Sequence, residues 1–266
     1  MEEVCRRAGI TTAKQRSIPI PLNGFDKIRA TTDDDERTDR REYQQIIGGL
    51  LYGAIYTRPD IVMALGKLSQ FLSDPTVYHA EALKELLHYV MGSLNRCIRY
   101  GGSRHDIVAY SDADWANDRL DRKSVSGGVI MFNGGPISWH SRKQKTVSTS
   151  STEAEYVALA SMAKQTQWLA QILRDMGFAK CLGKDPKLVE MKGDNTGSLA
   201  LVKNPHLHER SKHIDICHHY TRDLAKQGRI RLMYIPTEDM IADGFTKPLK
   251  RVQFQKFLGQ LGMIDC

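Results

Sequence analysis

The chain lacks the features that would settle its class at once. Its five cysteines, Cys5, Cys97, Cys181, Cys217 and Cys266, lie scattered, and no two form a CxxC pair. A patterned set would point to a disulfide scaffold or a structural zinc site, whereas this odd, unpatterned set reads as reduced thiols in cytosol or nucleus. No run of apolar residues is long enough to span a bilayer, so no membrane partner is expected. The start, MEEVCRRAG, has no apolar stretch behind it that could serve as a secretory leader. A large excess of one charge is missing too: 38 basic and 31 acidic residues give +7. Before position 105 there are 15 basic against 13 acidic residues, and from there on 23 against 18, so the surplus leans toward the C-terminal part. Such a balance suits a polyanionic partner without requiring one. The expectation is a soluble, intracellular protein.

What is present is ordinary in bulk. Charged residues make up 26% and hydrophobic ones 41% of 266 residues, enough for one large domain or two modest ones with a real core. Residues 1–40 show no clear period and contain TTDDDERTDRRE; like charges in such a stretch read as a solvated, linker-like segment rather than a metal site. Residues 41–104 are patterned for helices: YQQIIGGLLYGAIY up to Pro59, DIVMALGKLSQFL after it, and EALKELLHYVMGSL after Asp74-Pro75. Gly101-Gly102 marks a change of character, and residues 105–266 read as an α/β domain. DIVAYSDAD is a strand, and SGGVIMFN, Gly134-Gly135 and PISWHS form a hairpin. A helix from about Thr152 to Met176 follows, then strand LVEMKGDN, two helices, strand IRLMYIP, and short helices to the end. The order βββαβααβα predicts a mixed five-stranded sheet with helices on its faces.

Within that helix, Glu155 heads a stripe of Leu159, Met162, Thr166, Leu169, Leu173 and Met176, which is almost wholly apolar and so faces a core. Glu153 lies on another strip and can reach water. Ser150-x-x-Glu153 and Thr152-x-x-Glu155 both fit a capping box, which alone would explain either glutamate. Other acids change the balance. Asp112 falls at the end of the first strand of the sheet and Asp194 at the end of the fourth, where open α/β sheets form their binding crevice. Asp243, in MIADGFTK, opens a short helix after the last strand. Each could be a turn or capping residue, but all four at one sheet corner point to a magnesium site suited to phosphoryl transfer.

The stretches YSDADWA, ISWHSRKQKTVSTSSTEAEYVAL, KGDNTGSLAL and YIPTEDMIADGFTKPL resemble the ribonuclease H domain of copia-type LTR retrotransposon Pol polyproteins. YQQIIGGLLYGAIYTRPDIVMALGKLSQFLSDPTVYH is similar to the thumb and connection segment of the same polyproteins' reverse transcriptase. The resemblance implies a ribonuclease H-like fold and an acidic quartet, here Asp112, Glu155, Asp194 and Asp243, binding two Mg2+ ions, with Mn2+ as a substitute. It implies cleavage of the RNA strand of an RNA–DNA hybrid to a 5′ phosphate and a 3′ hydroxyl. The polymerase part of the parent polyprotein is the expected partner, and virus-like particles a possible setting. Two departures matter. No Y-x-D-D signature occurs, so polymerase activity is not expected. The loop IPTEDMIAD has no histidine where cellular and many retroviral ribonucleases H carry one, so histidine-assisted product release is not expected either.

Further candidates are weaker. Arg142 and Lys143, in the basic run beside Trp139, could follow a nucleic-acid backbone, or simply be a solvated hairpin edge. Ser126 and Asn195 could meet sugar or phosphate. His213, Cys217, His218 and His219 crowd one helix without a second pair of spaced ligands, which argues against structural zinc. Two rival readings stay open: a catalytically silent remnant that binds nucleic acid or a polymerase, and a D-D-E integrase. The early place of Glu155 speaks against the integrase.

Overall fold

The structure, a computed structural model, describes residues 1–12, 14, 16–101, 107–116, 121–178, 188–203 and 220–266. These divide into two units: Met1–Ile98 with Lys247–Cys266, and Arg99–Thr246. The candidates His213, Cys217, His218 and His219 lie outside the described residues.

In the first unit, residues 1–40 are more than a linker. They carry α1 (Glu2–Arg7) and α2 (Leu22–Phe25), and bury Cys5, Ile10, Ile20 and Ile28. These four are too irregularly spaced to show a period in the sequence, yet each is buried. Asp35, one of the three consecutive aspartates, closes a turn by accepting from the Thr32 backbone at 2.8 Å and pairing with Arg29. The Asp39 carboxylate accepts from the backbone N–H groups of Arg41 and Glu42 and so caps α3 (Arg40–Tyr56). Tyr43, Ile47, Leu50 and Ala54 form the buried stripe of α3. Pro59 opens a 3-10 turn that runs into α4 (Val62–Leu68). Thr76 then begins α5 (Val77–Met91), donating its backbone N–H to His79 Nδ1 at 3.0 Å.

Under these helices lies a polar knot. Arg58 and Asp60 form a fully buried bidentate pair at 2.9 and 2.8 Å. Tyr89 donates to Asp60 at 2.6 Å, and Arg58 donates to the Ser93 carbonyl and hydroxyl. Every side-chain nitrogen and oxygen of the pair has a hydrogen-bond partner, as burial of charge requires.

The sequence reading keeps residues 247–266 with the α/β part, but the structure groups them with the first unit. β7 (Met263–Asp265) pairs antiparallel with β1 (Arg96–Ile98), and Phe254 of α9 (Arg251–Gln260) meets the Tyr89 ring edge-on. The same ladder corrects the expectation of reduced thiols throughout. Cys97 and Cys266 form a disulfide across 169 residues of sequence, while Cys5 is free and buried. Pairing of the short strands brings Cys97 beside the end of β7, a proximity that no cysteine spacing reveals.

The second unit holds the five-stranded sheet. Its strands are β2 (Val108–Asp114), β3 (Val125–Phe132), β4 (Gly135–Lys143), β5 (Val189–Gly193) and β6 (Ile230–Tyr234), in the order β4-β3-β2-β5-β6. β2, β3 and β4 pair antiparallel, and β5 and β6 join them parallel. The β3–β4 hairpin turns on Asn133 and Gly134, both with positive φ, as a tight two-residue hairpin demands. Among the described residues, three α-helices complete the unit: α6 (Ser151–Asp175), α7 (Thr196–Lys203) and α8 (residues 220–226). Ala109, Ile130, Met191 and Ile230 from the strands pack with Tyr156, Leu159 and Met162 of α6 in one buried cluster. This is the βββαβααβ order with a central β2, the mixed α/β arrangement of the ribonuclease H-like fold. The expected stripe on α6 is buried from Glu155 to Thr166, but Met176 is 62% exposed because the helix has ended there.

Candidate metal centre

Asp112 lies inside β2 rather than at its end, 4% exposed and opposite Gly127 of β3. Asp194 immediately follows β5, which runs parallel to β2 as its neighbour. Asp243 sits in a 3-10 turn, Ile241–Phe245. One carboxylate oxygen from each of these three aspartates lies within 4.8 Å of the others.

Glu155 is buried in the first turns of α6 and hydrogen-bonds Asp112. Burial pushes its carboxyl up to about 10; the nearby charges of Asp112 and Asp194 and the bond to Asp112 add to the rise. Burial and its acidic neighbours thus favour the neutral form of Glu155. Oxygen-only donors held close together suit a hard divalent cation. The residues present therefore fit such an ion.

The two glutamates differ in what they meet at the start of α6. The Ser150 hydroxyl accepts from the Glu153 backbone at 3.2 Å, and the Glu153 carboxylate accepts from the Thr149 N–H at 2.8 Å and hydroxyl at 2.6 Å. Glu153 is thus buried at 7% exposure and does not reach water as its helical position suggests. It folds back over the helix end, where unpaired N–H groups attract a carboxylate.

The remaining candidates fall in different places. Ser126 is buried and accepts from Gln144 at 2.9 Å. Gln144 also donates to the Ala154 carbonyl and accepts from Ser148, so this network pins the link between β4 and α6. Asn195 caps α7 by accepting from the Ser198 backbone at 2.9 Å, a role the sequence had offered to Asp194. Arg142 is exposed, and Lys143 pairs with Asp121 at 3.0 Å.

Three residues of the site drew no notice in the sequence. The Thr246 hydroxyl donates to Asp112, and the Thr237 hydroxyl donates to Asp194 at 2.7 Å. Gly127 lets the Asp243 turn approach: an added Cβ would fall 2.6 Å from Thr246 Cγ2 and 2.9 Å from the Ala242 carbonyl oxygen. A Gly-Gly pair within a strand is the one signal that could have suggested a close approach.

No family model matches the chain. Over 262 residues, 98% of the chain, it is 38% identical to the retrovirus-related Pol polyprotein from transposon RE1 of Arabidopsis thaliana. Over 266 residues it is 35% identical to that from transposon TNT 1-94 of Nicotiana tabacum. The matched stretches are 17% and 20% of those relatives' lengths. Among solved structures, LC11-RNase H1 is similar at a TM-score of 0.40 and 18% identity, over 58% of this chain and 99% of that one. With near-complete coverage at these identities, the chain belongs to the retrovirus-related Pol polyproteins of copia-type transposons, of whose length it spans about a fifth or less.

Proposed function

We propose that this segment is a divalent-metal-dependent endoribonuclease that cuts the RNA strand of RNA–DNA hybrids. The observation that carries the reading is the convergence of Asp112, Asp194 and Asp243, with the buried Glu155 bonded to Asp112 beside them. Asp112, Glu155 and Asp194 would hold two Mg2+ ions, Mn2+ serving in their place, with Asp243 completing the second site. When bound, such ions lower the pKa of an attacking water and offset charge on the leaving oxygen.

The chain's own groups do the rest. Asp112 and Asp194 are each held by a threonine hydroxyl, and one oxygen of each lies within 4.8 Å of the other and of Asp243. A bound cation would favour the carboxylate form of Glu155. The new P–O bond forms from water, which loses a proton to solvent, as the P–O3′ bond breaks and O3′ takes up a proton from solvent, leaving a 5′ phosphate and a 3′ hydroxyl. Exposed Arg142 and Lys145 can track a phosphate backbone without reading bases; hybrid selectivity would come from shape and 2′-hydroxyl contacts. The polymerase part of the parent polyprotein is the natural partner. Among the described residues, no helix is long and apolar enough to cross a membrane.

Asp194→Asn tests the reading on one end-labelled hybrid. Wild type should cut with Mg2+ and not with Ca2+, whose looser coordination holds substrate without turnover. The variant should lose cleavage while its metal-free hybrid affinity holds. Equal cutting by both proteins would remove the acidic cluster from the mechanism. Hybrid binding by a wild type that never cuts would favour the silent-remnant reading.

A further inference from the structure

The stretch from Ile235 to Thr246 touches the acidic cluster at three points. Its start is tied beside Asp194 by the Ile235 N–H, which donates to the Gly193 carbonyl at 3.0 Å. Thr237 then donates its hydroxyl to Asp194 Oδ2. Two turns, closed by Met240 N–H to the Thr237 carbonyl and Asp243 N–H to the Met240 carbonyl, bring in Asp243. Thr246 ends the stretch, and its hydroxyl donates to Asp112 Oδ2, with the Asp243 carbonyl 3.2 Å away.

We infer that Thr246 and Thr237 are positioning residues for the cation site, each holding one aspartate of the cluster against rotation. The inference rests on the reading of the cluster proposed above. A carboxylate rotates about a broad terminal torsion, and three acids held this close repel one another, so without a donor their oxygens would turn apart. A hydroxyl has one hydrogen to give, and a single bond from it is enough to hold a carboxylate against rotation. The backbone is built for this contact. Gly127 stands opposite Asp112, and its missing side chain is the space into which the Thr246 methyl fits. Thr246 is 5% exposed, so its bond is shielded from competing water. Thr237 is exposed and its bond is correspondingly weaker.

The test is Mn2+ binding to the full chain without nucleic acid, followed by the electron paramagnetic resonance of the free ion. Thr246→Val keeps the shape and removes the donor, while Thr246→Ser keeps the donor. Thr246→Val should lower Mn2+ affinity about tenfold, the usual effect of losing a group that orients a metal ligand. Thr246→Ser should stay close to wild type, and Thr237→Val should fall between them. A merely structural role predicts that Thr246→Val lowers the urea midpoint with Mn2+ affinity unchanged, and that result overturns the inference. Should Thr246→Val not fold, Thr237→Val decides, since an unchanged affinity there overturns it equally. A wild type that binds Mn2+ but never cuts a hybrid removes the proposed activity and leaves the threonine comparison to stand or fall by itself. A wild type that binds no Mn2+ removes both.

Discussion

His140, in β4, is 5% exposed, and burial with the nearby Arg142 charge pushes its imidazole down to about 4. The folded state therefore favours the neutral ring, while the unfolded chain takes up a proton near the ordinary value of 6.5. Stability from this group is complete above about 6.5 and drains away as pH falls toward 4, by roughly 3 kcal/mol in all. Urea unfolding at pH 7, 5.5 and 4 should show a loss that His140→Phe reduces by about that amount; equal slopes in both proteins would refute it. The four acids are the opposite case, because their types and places are legible as letters. Asp112, Asp194 and Asp243 stand in polar turns or strand positions next to apolar runs, and Glu155 heads an apolar stripe. The burial of Glu153 is not legible, since it depends on where Thr149 turns its hydroxyl. Thr237 and Thr246 look like any surface threonines until the fold sets them against Asp194 and Asp112.

Elements succeed or fail by what lies across from them. Gly127→Ala would drive a methyl into the Thr246 side chain and the Ala242 carbonyl. It should cost about 1–3 kcal/mol, as overpacking does, and also weaken Mn2+ binding by displacing the Asp243 turn. Calorimetry with and without Mn2+ checks both, and a variant as stable as wild type would count against the close approach. In the first unit, Asp60→Asn would leave the Arg58 guanidinium buried without its counter-charge. The expected loss is about 3–5 kcal/mol, with a smaller one for the double replacement of Arg58 and Asp60 by apolar residues. Urea midpoints of the three proteins decide, and a double variant worse than Asp60→Asn would contradict this view of the knot. The helices around it were readable from Pro59, Asp74-Pro75 and the apolar spacing of α3, whereas the Asp39 cap was not. The β1–β7 ladder was not: three-residue strands carry too few letters to show a period, and their pairing spans most of the chain.

At the scale of the molecule, the α/β order of the second unit was plain from alternating strand and helix patterns, whereas the division of the chain was not. Gly101-Gly102 marks the first boundary closely, but no glycine or proline cluster announces that residues after Thr246 return to the first unit. All four acids, both threonines and Gly127 lie between Arg99 and Thr246. A fragment of residues 99–246 should therefore fold and bind Mn2+ as the whole chain does, and a folded fragment without that binding would show the site to be incomplete. Chain connectivity adds a covalent property. The polypeptide leaves the first unit after Ile98 and re-enters it at Lys247, and Cys97 is bonded to Cys266. The path from 97 to 266 is thus a closed ring, and the second unit makes up most of its length. A protease that cuts once inside the ring releases nothing: the nicked protein keeps its full mass on a gel until reductant is added. Excising the second unit takes two cuts, and even then the two remaining pieces of the first unit stay joined through sulfur.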